Sequence, residues 1–321
     1  MVGRHEQVDG GDATFIELPF PSVAEDLAVA EALDRLDEFG PTKQVWWDTE
    51  VSVTLRPQRE VESEPSTHGC STQGRGGRRY AAAMEPQPPL VLLVHGAFHG
   101  AWCWAGLQAE LDRLGVASLA MDLPGHGASC APLRDLHGDA DAVAEVVAHL
   151  ARPVVLVGHS YGGAVISQAD TAPYVRRLVY LAALVPDIGQ SPADQMAGMP
   201  RATGPAAKLF LRRADGVLEA DPALATAAFY HRCEPAAARS AVARLSPQRA
   251  ATMKQPATRA MWQQVPSTYI RCLVDQAVPL AAQDQLATRC TEVVSIDADH
   301  SPFLGQPAEL AAIVARAVAA A

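Results

Sequence analysis

The sequence predicts an α/β protein with a mostly parallel central sheet, helices on both faces and an inserted helical cap. Three observations predict it. From Leu90 onward, short apolar runs alternate with segments of helical period, the pattern of strands joined by crossover helices. The run Leu90–Val94 is apolar at every position, as a strand buried on both faces must be. From about Val185 to Gln264 the alternation breaks into proline-punctuated, mostly helical sequence, which marks an insert.

The elements follow in order. After the strand Leu90–Val94 a helix is expected over Trp102–Leu114, then a strand at Val116–Met121 that runs into the turn Asp122-Leu-Pro-Gly-His-Gly127. A helix fits Asp139–Leu150, a strand Pro153–Val157, a helix from about Tyr161, and a strand Val175–Leu184. Beyond the insert come a strand at Thr268–Val274, a helix near Ala281–Thr288, a strand at Glu292–Ile296 and a final helix from Pro307. No internal repeat is present.

Residues 1–83 read as a separate acidic extension, and residues 84–321 as the main domain with its cap at about 185–264. Up to Glu64 acidic side chains heavily outnumber basic ones, whereas the remainder is near neutral. Ser22 and Glu25 form a capping-box pattern ahead of a helix whose Val29, Leu33 and Leu36 share a face, and Gly40 and Pro41 stop it. Val51, Val53 and Leu55 alternate with polar residues, so Val45–Leu55 reads as a half-buried strand. Residues 56–89 are rich in Gly, Ser, Thr and Arg without apolar period and read as a disordered linker. Met84 stands just before the first strand of the main domain and offers an alternative start.

Bulk properties exclude several classes. Nearly half of the 321 residues are apolar, enough for a sizeable core. The net charge of −10 is opposite in sign to that of a nucleic-acid binder. No apolar run is long enough to span a membrane, and the first residues lack a secretory pattern, so a soluble, cytoplasmic protein is expected. Six cysteines are scattered without a C-x-x-C pair, and no metal or cofactor is expected. The charge asymmetry and the capped helix make residues 1–83 a candidate docking segment for a protein partner, set against an extension with no role.

The chemistry rests on Gly158-His-Ser-Tyr-Gly162, directly after an apolar strand and before a helix. This is the G-x-S-x-G turn that lifts a serine above a sheet. Gly158 and Gly162 stand where the backbone packs too closely for side chains, and the dipole of the following helix favours developing negative charge. Ser160 is therefore the candidate nucleophile. A serine hydroxyl needs a base, and the fold order places first an acid and then a histidine downstream. His300 follows the strand Glu292–Ile296 by a short loop, at the edge of the sheet where ligands bind. His231, inside the cap, is the weaker alternative. Asp275 comes directly after the preceding strand and would hold the imidazole tautomer. Asp284 and Asp299 are its competitors. Two backbone N–H groups are expected to form an oxyanion hole: that of Tyr161, after the nucleophile, and that of Ala97 in the loop beginning His95-Gly96, with Phe98 as the fallback. Together these define the α/β-hydrolase fold.

His95-Gly-Ala-Phe-His-Gly-Ala-Trp-Cys-Trp104 resembles the signature of the plant methylesterase and hydroxynitrile lyase family and its bacterial carboxylesterase relatives. The turn at 122–127, the elbow Gly158-His-Ser-Tyr-Gly-Gly163, Val265-Pro-Ser-Thr-Tyr-Ile270, Asp275-Gln-Ala-Val-Pro279 and Asp297-Ala-Asp-His300 extend the resemblance from about Pro89 to the C-terminus. It puts the family's serine, aspartate and histidine on Ser160, Asp275 and His300, and its oxyanion donors on Ala97 and Tyr161. Lyase members carry a threonine after the first loop histidine and a lysine after the catalytic histidine. Gly96 and Ser301 stand there, so the resemblance favours the esterase branch.

The reading is a cofactor-free hydrolase acting on a carboxylic ester, or a thioester, of a mainly apolar small molecule. Met196, Met199, Leu209, Leu211, Phe229 and Met261 of the cap are expected to shape the pocket. His95 and His99 are read as orienting the oxyanion loop, His126 and His159 as structural, and Trp102 and Trp104 as core. Two alternatives stay open: a lyase or cyclase that uses the same side chains for proton transfer, and a ligand-binding homologue without catalysis.

Overall fold

A computed structural model of the chain describes residues 88–321, Ala172 excepted, and the backbone of four strands upstream. Those four are β1 (Val2–Val8), β2 (Gly11–Leu18), β3 (Lys43–Trp47) and β4 (Val51–Leu55). The main strands are β5 (Leu90–Val94), β6 (Ser118–Asp122), β7 (Val154–His159), β8 (Val175–Leu181), β12 (Ser267–Cys272) and β13 (Glu292–Ile296). Between them the cap carries three short strands, β9 (Phe210–Arg212), β10 (Val217–Ala220) and β11 (Gln248–Arg249).

Among the described residues the large sheet has ten strands in the order β1-β2-β3-β4-β6-β5-β7-β8-β12-β13. From β6 to β13 every pairing is parallel. Parallel neighbours need crossovers, and helices supply them. Among the described residues the α-helices are α1 (Ala105–Arg113), α2 (Leu136–Leu150), α3 (Tyr161–Gln168), α4 (Pro192–Ala197), α5 (Pro222–Phe229), α6 (Pro235–Ala243), α7 (Leu280–Ala287), α8 (Pro302–Gly305) and α9 (Pro307–Ala319).

The apolar run of β5 serves two cores, because successive side chains leave opposite faces of a strand. Leu90, Leu92 and Val94 pack with residues of α2, α3 and α7. Val91 and Leu93 pack with Leu107 and Leu111 of α1 and with Leu310, Ile313 and Val314 of α9. Trp104 is fully buried in the second core and Trp102 lies at its margin.

Backbone upstream of the main strands joins the sheet, and two expectations, a single strand there and a helical cap, are corrected. β4 pairs antiparallel with β6, Val53 opposite Met121, so upstream backbone continues the main sheet. The single strand expected over Val45–Leu55 is two, β3 and β4, paired antiparallel. The helix expected from Ser22, the linker and Met84 lie outside the described residues. The cap is not wholly helical: β9, β10 and β11 form an antiparallel sheet of their own. Its hairpin turns at Asp215-Gly216, where Gly216 adopts φ +81°, a conformation that costs glycine little. The cap prolines that look like breakers open helices instead. Pro222 and Pro235 occupy first-turn positions behind Asp221 and Glu234, whose carboxylates accept from the amides of Ala223 and Ala236.

Candidate active site

β7 delivers Ser160 to the C-terminal edge of the sheet, and α3 starts one residue later. Ser160 has φ 52° and ψ −118°, a left-handed conformation rare for a residue with a Cβ. Three backbone bonds hold it there. Its amide donates to Leu181 O at 3.1 Å, and its carbonyl accepts from Gly163 and Leu184 at 3.1 and 3.0 Å. The flanking glycines are sterically required: a Cβ on Gly158 would lie 2.6 Å from Gly162 O, and one on Gly162 would lie 2.6 Å from His95 O.

His300 and Asp275 sit on the loops after β13 and β12. His300 Nδ1 donates to Asp275 Oδ2 at 2.7 Å, and both side chains are almost wholly removed from solvent. The carboxylate receives only donors. Oδ1 accepts the amides of Ala277 and Val278 at 2.7 and 2.9 Å, and Oδ2 also takes Gln283 Nε2 at 3.2 Å. Gln283 is locked in turn by Cys272 and Val278. The competitors are otherwise engaged. Asp299 accepts from the amides of Arg232 and Ser301 at 2.7 and 2.9 Å, and Asp284 pairs with Arg271 at the surface. His231 is exposed and lies outside the cavity that His300 and Ser160 line.

The loop after β5 carries Gly96, Ala97 and Phe98. Gly96 lies so near the elbow that a Cβ would meet His159 Nδ1 at 2.8 Å and Ser160 Cβ at 2.9 Å. His95 accepts the Leu123 amide at Nε2 (3.0 Å), so its Nδ1–H donates to Gly96 O (2.8 Å). His99 donates from Nδ1 to Ala97 O at 2.8 Å and accepts the Tyr230 hydroxyl at Nε2, at 2.7 Å. A peptide's N–H points opposite to its carbonyl, so holding the Gly96 and Ala97 carbonyls aims the Ala97 and Phe98 amides the other way. Phe98 has φ 68°, and its carbonyl accepts the Ser246 amide of the cap at 2.8 Å. Tyr161 opens α3, and a first-turn amide has no acceptor within its helix.

Burial sets the charge of the surrounding histidines. It drives the pKa of His95 and His159 well down and that of His99 to about 4, so all three are neutral near pH 7. His159 Nε2 donates to the carbonyl of His300 at 2.8 Å and ties the elbow to the histidine loop. Beneath the elbow, the Tyr161 hydroxyl donates to Asp139 Oδ2 at 2.7 Å. Burial raises the Asp139 pKa from 3.8 to about 7, against the lowering effect of that hydrogen bond.

Ser160, His300, Ala97, Phe98 and Tyr161 all line one cavity of about 570 Å³ between cap and sheet. Met196, Met199, Leu209 and Phe229 line it as expected. Leu211 instead faces solvent, and Met261 is buried in the core. Sequence reasoning missed Gln283, Tyr230, Ser246 and Gln248. The first three hold other site residues and the last lines the cavity. Among the described residues no cluster of metal-ligating side chains occurs, and none of the five described cysteines is in a disulfide.

The alpha/beta hydrolase family model matches residues 91–313. The chain is 30% identical over 235 residues to an alpha/beta hydrolase, nvfD, of Aspergillus novofumigatus, across 68% of this chain and 92% of the relative. It is 36% identical over 110 residues to methylesterase 7 of Arabidopsis thaliana, across 32% of this chain and 42% of that one. Among solved structures it superposes on a pyrethroid hydrolase from Sphingobium faniae with TM-score 0.63 at 26% identity, covering 72% of this chain and 98% of the other. These similarities bear out the resemblance read from the loop, elbow and turn motifs.

Proposed function

The chain belongs to the alpha/beta hydrolase family, whose matched members include esterases and hydrolases, and on that premise we propose that it hydrolyses a carboxylic ester of a mainly apolar small molecule through an acyl-enzyme on Ser160. One observation carries the reading. His300, closed on Asp275 at 2.7 Å, lines the same cavity as a serine held in a left-handed turn.

The steps follow from the groups in place. His300 Nε2 takes the proton as Ser160 Oγ attacks the carbonyl carbon, and Asp275 stabilises the imidazolium at Nδ1. The amides of Ala97 and Tyr161 receive the oxyanion, with Phe98 adjacent. The tetrahedral intermediate collapses as His300 returns the proton to the leaving alcohol. Water then attacks the acyl-enzyme by the same route in reverse. A thioester passes through the same steps. The cavity's lining of Met, Leu, Phe and Ala supports an apolar substrate. Gly96 supports hydrolysis over cyanohydrin cleavage, because a threonine there would collide with His159 and Ser160.

An ester panel on wild type and Ser160→Ala tests the proposal. Turnover should fall on the order of 10³-fold or more in the variant. Turnover retained in Ser160→Ala would remove Ser160 from the chemistry.

A further inference from the structure

Gln248 is a polar residue on the cavity wall that the proposed chemistry does not use. It lies on β11, opposite Leu218 of β10, and lines the cavity while only 1% exposed. One end of its amide is 3.0 Å from His126 Nε2. The other end is buried without a hydrogen-bond partner. His126 is itself anchored by a 3.0 Å bond from Nδ1 to Pro124 O. Leucine would fill much the same space at this position without a buried amide half satisfied. Around it the wall is apolar: Leu218 and Met253 line the cavity beside it, and the hydroxyl of Tyr161, which also lines it, is already given to Asp139.

We propose that Gln248 is a specificity-determining residue whose free amide end binds an uncharged hydroxyl carried by the substrate. A hydroxyl can donate or accept, so it satisfies whichever end of the amide is left without a partner. A charged group is disfavoured at this point, because the flanking Leu218 and Met253 offer it no partner. The substrate class is a neutral, mainly apolar ester bearing one hydroxyl away from the bond that is cleaved.

The inference rests on the ester-hydrolysis reading for its kinetic arm alone. The methyl esters of phenylacetic acid and of its 2-, 3- and 4-hydroxy derivatives are compared on wild type and Gln248→Leu. Gln248→Met, of similar length and unbranched, repeats the test if the leucine variant does not fold. At least one hydroxy isomer should exceed the parent ester in kcat/KM by roughly tenfold or more, and the substitution should abolish that preference. The same isomer should bind Ser160→Ala more tightly than the parent ester does. No preferred isomer, or a preference that survives at Gln248→Leu, overturns the inference. Selective binding to Ser160→Ala without any wild-type turnover would instead sink the hydrolase reading and leave the subsite standing.

Discussion

Replacing Ser160 by glycine should make the protein more stable while removing its activity. Ser160 holds φ 52° and ψ −118° because three backbone hydrogen bonds over-determine the turn. A side-chain-bearing residue in such a region stores about 1–3 kcal/mol. Glycine relieves that strain, and loses about 0.5–1 kcal/mol through its greater freedom in the unfolded chain. The net gain is about 0–2.5 kcal/mol, centred near 1 kcal/mol. At about 2–4 °C per kcal/mol for a domain of this size, Tm should rise by a few degrees. Ser160→Ala is the control, since it loses the hydroxyl but keeps the Cβ and hence the strain. Thermal melts and urea titrations of both variants at one pH give the comparison. If Ser160→Gly is no more stable than Ser160→Ala, the elbow is not strained and the account of why a serine is held there fails.

Other consequences can be measured separately. Tyr230→Phe leaves His99 Nε2 as a buried acceptor without a donor, which should cost about 1–3 kcal/mol of stability. By loosening the Ala97 peptide it should also lower kcat about tenfold, less than the 10²–10³ expected for outright loss of an oxyanion donor. An unchanged kcat would separate the Tyr230–His99 contact from catalysis. Asp139 binds its proton more tightly folded, with a pKa of about 7 against 3.8, so stability should fall as pH rises from about 4 to about 7 and then level off. Asp139→Asn keeps an acceptor for Tyr161 and should flatten that slope, gaining on the order of a few kcal/mol over wild type at pH 8 and little at pH 4. Parallel stability curves for the two proteins would refute the assignment. Removing residues 1–83 takes β4 away from β6 and bares a sheet edge. The shortened protein should melt lower and self-associate more, and an identical Tm would show that the upstream strands add nothing.

How much could be read from sequence depends on the range over which each residue acts. The elbow was legible because its demands are local: two close backbone approaches fall two residues either side of Ser160, and only glycine meets them. Asp275 and His300 were legible because each follows a strand of the alternating pattern. Asp299 stands too close to His300 in sequence to reach the far ring nitrogen easily, and the structure adds that its carboxylate is committed to Arg232 and Ser301. Gln283 and Tyr230 left no trace, since a glutamine or tyrosine that locks a partner 8 or 131 residues away looks like any other. The hairpin of the cap did leave a sign, the pair Asp215-Gly216. Its flanks, with Arg212, Arg213 and Glu219, lack the apolar alternation that gives such a turn weight. The pairing of β4 with β6 left no sign in the sequence, because it joins strands more than sixty residues apart by backbone bonding that no local pattern reports.

The most direct trial of the nucleophile is to trap it. A fluorophosphonate should phosphonylate wild-type protein once, and peptide mapping by mass spectrometry should place the adduct on the hydroxyl of Ser160. His300→Ala should label far more slowly, because the hydroxyl has lost its base. An adduct on any other residue, or labelling at the wild-type rate without His300, would contradict the serine–histidine mechanism.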